Sequence, residues 1–364
     1  MIKILIFSCF LFATSLLFAQ TQFDRGFEYR QKIGFLAAHR GVMAHMPRET
    51  AKAIEISYIL RTRGTKNWHQ AYRYPTIGGT LFLGSVGNTA LMGHYVGVYG
   101  FSELPMIKTK HYDMSFKLGC GAGYTSKIYD PINNPKNVAV STHLNAMMCF
   151  AIKSTYRFGP HSLNTSLDIT HFSNAAFKVP NYGVNMPYLS LGYAYIFQAA
   201  DEKTITEKSR LLAPFKRHWN YSLLAIGSVK EVMPIGGKKY PVFALNLSAR
   251  RFYNNKAGAE IALDVISKQA VLAYLPLISK SQMDILQVGV FAAYLVPFDH
   301  FNFVFGMGAY VRDKYQPEDR IYTRIGCRYQ FSNGLMANFT LKTHWARADY
   351  LEWGIGYTFN NRTR

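Results

Sequence analysis

After residue 20 the chain has no apolar run approaching the roughly 20 residues of a membrane-spanning helix, which excludes a helical membrane protein. Cysteine is scarce, four in 364 residues. Cys9 sits in the first apolar run, too early for a lipid-attachment site. Cys120, Cys149 and Cys327 are odd in number, widely spaced and outside any C-x-x-C pattern. That excludes a disulfide framework or a zinc cluster, and the three read as small apolar or lumenal strand residues. Acidic residues are short as well: 21 Asp and Glu stand against 41 Lys and Arg, for a net charge of +20. No tandem repeat, low-complexity tract or linker interrupts the chain, so residues 20–364 read as one domain.

What is present starts with an export signal. Lys3 supplies a positive end, residues 4–18 are apolar and uncharged, and Leu17-Phe18-Ala19 precedes Gln20 as a small-residue cleavage pattern. Residues 1–19 therefore read as a signal peptide. Beyond it, 49% hydrophobic and 15% aromatic content without a spanning helix points to strands that alternate apolar with polar residues.

That alternation recurs along the chain. In residues 138–158, Val140, Leu144, Met148, Phe150, Ile152 and Tyr156 share one parity, and Ser141, His143, Asn145, Lys153 and Arg157 the other. Comparable segments lie at 189–197, 243–250, 260–265, 301–312, 338–345 and 351–359. One face is apolar and aromatic; the other carries small and charged residues, as in a lipid-facing wall around a lumen. About fifteen segments are discernible, and barrels of this kind have even strand numbers. The expectation is an all-β antiparallel transmembrane barrel of about 14 strands, with 12 and 16 open. Connectors alternate between short (159–160, 254–256, 297–300) and long (126–137, 174–186, 268–282). Residues 199–216 form a long connector on the short side, read as a short helix or a seam. The implied location is the bacterial outer membrane. There the basic excess favours lipopolysaccharide phosphates over nucleic acid as partner; a plainer reading has these residues filling rims and lumen.

One strand departs from the rule. In residues 163–173, Leu163, Leu167 and Ile169 hold the apolar parity, and Asn164, Ser166, Asp168 and Thr170 the lumenal one. His171 and Ser173 then fall on the apolar parity. Two polar side chains facing lipid cost free energy unless they are hydrogen-bonded, and the placement makes sense if the substrate is a lipid. A histidine beside a serine can take the hydroxyl proton and return it to a leaving group.

The string His171-Phe172-Ser173-Asn174-Ala175, followed by Pro180-Asn181-Tyr182-Gly183, resembles the signature of the lipid A 3-O-deacylase, or acyloxyacyl hydrolase-like, family of outer-membrane barrels. The close resemblance covers residues 163–195, and a looser one 52–197. It implies a serine esterase that releases an ester-linked acyl chain from lipid A without metal or cofactor. Ser173 would be the nucleophile and His171 the base. Asn174 and the backbone near Ala176 would form the oxyanion hole, and Pro180, Asn181 and Gly183 would shape the loop. The family's glutamate position is Asn185 here. Three readings stay open: Asn185 orients His171 through its amide oxygen, Asp168 substitutes despite its parity, or the site is inactive. His39, His45, His94, His143 and His344 read as lumen or rim residues. The alternatives to a lipid A deacylase are a non-catalytic barrel, either a pore or a lipopolysaccharide-binding structural protein, and an esterase acting on other lipids.

Overall fold

The computed structural model describes residues 22–360 except Ala213, Leu275, Pro276 and Ala346. The proposed signal peptide lies outside the described residues. Sixteen strands run β1 (Phe23–Gly34), β2 (Ala51–Thr62), β3 (Thr76–Ser85), β4 (His94–Lys108), β5 (Tyr112–Thr125), β6 (Leu144–Phe158), β7 (His161–Ser173) and β8 (Val184–Gln198), then β9 (Trp219–Glu231), β10 (Lys239–Asn254), β11 (Ala257–Lys268), β12 (Leu286–Phe298), β13 (Phe301–Arg312), β14 (Ile321–Gln330), β15 (Leu335–His344) and β16 (Arg347–Thr358). Each is long enough for the 9–11 residues of a tilted membrane strand.

The strands do not form one barrel. β1 to β8 close on themselves, and β9 to β16 close separately. Closure comes from antiparallel pairing of β1 with β8, Phe27 against Tyr195 and Ile33 against Leu189, and of β16 with β9, Tyr357 against Leu223. This corrects the expected single barrel of about 14 strands. Alternation reports which face a residue occupies, and a strand that closes a barrel alternates like any other. The connector at 199–218 is the seam between the barrels, and it holds a short helix, Glu202–Arg210, capped by Asp201.

Facing follows parity in both barrels. On β7, Leu163, Leu167 and Ile169 are exposed, while Ser162, Asn164, Ser166 and Asp168 are buried. Aromatic residues gather outside the first barrel at the end bearing the short turns. Phe27 stacks on Phe197, and His161 stacks on Tyr195. An aliphatic wall with an aromatic girdle is the outer surface of a membrane barrel.

The lumens are packed. In the first barrel Lys32 bonds Glu55 at 2.9 Å and Asp168 at 2.6 Å, Arg30 pairs with Glu55, and Lys153 bridges Glu28 and Glu103. In the second, Arg324 joins Glu352 and Asp264, Arg328 joins Glu260, and Lys268 joins Asp349. Buried charges need such partners, and eight strands leave an interior only wide enough for side chains. The excess of lysine and arginine is thus partly lumenal. A polar cavity of about 430 Å³ remains at the turn end of the first barrel, lined by residues that include Arg61, Glu103 and Lys153.

The barrels touch at both ends. At the turn end Tyr72 stacks on Phe298 with centroids 4.5 Å apart, and Lys66 meets Asp299 at 2.5 Å. At the loop end the Glu231 N–H reaches the Ala176 carbonyl at 3.4 Å, and the Lys239 ammonium lies 3.7 Å from the Phe177 ring centre.

Candidate active site on the outer face of the first barrel

The end of β7 turns two side chains outward and one inward. Phe172 is fully buried and packs edge-on against Tyr95, with centroids 5.0 Å apart. Its neighbours His171 and Ser173 project from the outer face, half-buried. The inward ring anchors the strand end, so the outward pair sits on a fixed backbone and not on a fraying tip.

His171 stands directly opposite Asn185 in the β7–β8 pairing, and its Nδ1 lies 2.6 Å from Asn185 Oδ1. An amide oxygen can only accept, so Nδ1 carries the hydrogen and Nε2 keeps its lone pair. No hydrogen bond joins Nε2 to Ser173 Oγ. Such contacts are commonly long without substrate and tighten when it binds. Ser173 Oγ accepts from Asn181 Nδ2 at 2.9 Å and from the Ala175 N–H at 3.1 Å. With both acceptor sites used, the hydroxyl hydrogen is left to be donated.

The loop 174–183 sets this geometry. Asn174 donates through Nδ2 to the Lys178 carbonyl at 2.9 Å and to Ser141 Oγ at 3.2 Å. Its own N–H donates to Asn181 Oδ1 at 3.1 Å. That last bond fixes which way the Asn181 amide faces, and so turns its NH₂ toward Ser173. Asn174 has no donor left for a substrate oxygen. The Ala176 N–H, by contrast, has no acceptor among the described residues. Ala175 and Ala176 both have left-handed backbone, φ 53° and 63°. Non-glycine residues there cost about 1–2 kcal/mol each, and such outliers gather where geometry serves function.

Gly183 has φ +78°, and a Cβ built on it would lie 2.8 Å from His171 Cε1. Any side chain at 183 would push the imidazole. Pro180 is buried in the loop beside Asn181, after a cis bond. Residues 138–143, expected to extend a strand, belong instead to the loop before β6. They clamp the site loop, the Gly183 N–H donating to the Ala139 carbonyl at 2.9 Å and Ser141 Oγ to the Lys178 carbonyl at 2.8 Å.

Asp168 cannot supply the acid. It is buried in the lumen, bonded to Lys32 and to Ser190 at 2.7 Å. The role of one contributor and the presence of another escaped the sequence reading. Asn181, expected only to shape the loop, touches Ser173 directly. His39, read as a rim residue, has its Nδ1 3.1 Å from Asn185 Nδ2.

Comparison with known families matches residues 52–194 to lipid A 3-O-deacylase (PagL) and residues 219–361 to the acyloxyacyl hydrolase C-terminal domain. The chain belongs to the lipid A 3-O-deacylase family. One match spans most of the first barrel, and the other spans the second. Comparison with curated proteins finds no match. Solved structures found similar include mutants of the Rhodopseudomonas blastica porin at 10% identity and a chain titled "Asymmetric conductivity of engineered proteins" at 9%. In each pairing 93% of this chain and 100% of the other are covered, with a TM-score of 0.17. That likeness carries no argument. Family membership and closed barrels with an apolar wall make this a lipid A deacylase-like protein of outer-membrane barrel type.

Proposed function

We propose that the chain is an outer-membrane serine esterase that releases an ester-linked acyl chain from lipid A. The observation that carries this reading is a hydrogen-bonded His171–Asn185 pair beside Ser173 on a face that otherwise meets lipid. Immediately below it on the same face lies an apolar groove of about 510 Å³ lined by Ile33, Phe35, Ile152, Leu167, Ile169 and Leu189, among others. Ile169 and Pro187 are the next outward residues beneath His171 and Asn185. An acyl chain lying in the groove would bring its ester to Ser173. Arg40, Arg48, Lys127 and Lys136 stand exposed on loops at the same end, against Glu49 and Asp130, and suit a phosphorylated headgroup.

Ser173 Oγ attacks the ester carbonyl while His171 Nε2 takes its proton. Asn185 Oδ1 holds Nδ1–H and favours the imidazolium that forms. The Ala176 N–H, which has no acceptor among the described residues, and Asn181 Nδ2, 2.9 Å from Oγ, are the donors for the developing oxyanion. The oxyanion role expected of Asn174 passes to them, and Asn174 acts by holding the loop. Collapse returns the proton to the departing sugar oxygen, and water then cleaves the acyl-enzyme by the same steps. Packed lumens speak against the pore alternative.

Mass spectrometry of lipid A incubated with purified protein tests this reading. The parent should release one acyl chain. Ser173→Ala and His171→Ala should lower the rate by on the order of 10³-fold or more while still folding as heat-resistant barrels. Undiminished release by either variant would eliminate the mechanism.

A further inference from the structure

Asparagine is an ambiguous orienting group. A carboxylate offers an oxygen whichever way it turns, whereas an amide turned over presents NH₂. Facing His171, that NH₂ would force the ring into the tautomer with hydrogen on Nε2, which cannot take a proton from serine. Something must hold the amide the right way round, and the protein supplies it from the opposite end of the first barrel's sequence.

His39 lies in the loop between β1 and β2. Pairing continues past the end of β1, the Ala37 N–H donating to the Asn185 carbonyl at 2.9 Å. This carries His39, two residues on, to the far side of the Asn185 amide. Its Nε2 lies 3.1 Å from the Tyr182 carbonyl, and its Nδ1 lies 3.1 Å from Asn185 Nδ2. A carbonyl can only accept, so Nε2 of the neutral ring bears the hydrogen and Nδ1 is the acceptor. The other neighbour of Nδ1, the Ala37 carbonyl at 3.4 Å, is longer and has no hydrogen to offer. The chain of donors is then determined throughout: His39 Nε2–H to the Tyr182 carbonyl, Asn185 Nδ2–H to His39 Nδ1, and His171 Nδ1–H to Asn185 Oδ1. His171 Nε2 is left as the free base.

We infer that His39 is a positioning residue for the deacylase reaction, locking the Asn185 amide so that its oxygen faces His171. This rests on the serine esterase reading above. His39 touches neither the substrate ester nor Ser173 and acts only through Asn185.

The test is a double-mutant cycle with purified lipid A in detergent, reading acyl release at matched folded fraction. His39→Leu should lower kcat about tenfold with KM little changed, the factor expected for about 1.4 kcal/mol. His39→Asn, whose Oδ1 stands near the place of Nδ1, should keep kcat within about threefold of the parent. In an Asn185→Glu background there is no amide to orient, and the loss from His39→Leu should shrink to less than about twofold. A His39→Leu protein as fast as the parent would overturn the inference and leave the esterase reading standing. So would an equal loss in both backgrounds, which marks a merely structural role. A parent no faster than Ser173→Ala removes the esterase reading and the role of His39 with it.

Discussion

The two barrels have the same number of strands, the same alternation and similarly packed lumens, yet their corresponding edges differ. In the first, β7 ends with His171 and Ser173 outward, and residues 174–183 separate it from β8. In the second, β15 ends at His344 and β16 begins at Arg347. His344 points into the lumen, 4% exposed, with Nε2 3.3 Å from Asp349 and Nδ1 3.0 Å from the Ile321 carbonyl. A histidine near a strand end with a carboxylate close by is therefore insufficient. Because side chains alternate along a strand, one step in register moves a residue from wall to lumen. Chemistry on a lipid needs the outward parity and a loop long enough to fold back over the strand end.

The comparison can be broken at the loop. Gly183→Ala adds one carbon against the His171 ring at a left-handed backbone position. It should fold, at a cost of about 1–2 kcal/mol, and lose on the order of 100-fold in kcat through a displaced base. Full activity in this variant would show that His171 does not depend on the seat described for it. Thermal unfolding and acyl release, measured together, separate the two effects.

It can be sharpened at Asn185. Asn185→Leu removes the acceptor for His171 Nδ1–H and should reduce release about tenfold, and a leucine variant as fast as the parent would remove Asn185 from the site. Asn185→Glu should raise release severalfold, because a charge-assisted hydrogen bond is roughly twice as strong as a neutral one. In the second barrel, His344→Ala opens a buried bond and should lower the unfolding temperature by a few degrees. Its acyl release should match that of the parent; a loss there would tie the second barrel to the chemistry.

Much of this was legible in the sequence, for identifiable reasons. Period two gives facing directly, so Leu167 and Ile169 outward and Asp168 inward follow from spacing alone, as does the anomaly of His171 and Ser173. Cross-strand partnership is not encoded locally. Nothing in the spacing of Phe27 and Tyr195 announces that β1 pairs with β8, so one barrel of about 14 strands and two of eight look alike from the sequence. His39 was missed on the same ground: it lies 146 residues from Asn185 and meets it only through that closure. Asn181 was placed in the right loop, but its bond to Ser173 depends on the left-handed turn at Ala175 and Ala176, which alanine gives no reason to expect.

The central claim, one outward nucleophilic serine on the first barrel and none on the second, is tested most directly by covalent trapping. A long-chain alkyl fluorophosphonate should form a bond from Ser173 Oγ to phosphorus, expel fluoride and pass the hydroxyl proton to His171. Peptide mass mapping should then find a single adduct, on Ser173, that is lost in Ser173→Ala and slowed severely in His171→Ala. No adduct on the folded parent, or one on a serine of the second barrel, would contradict the account.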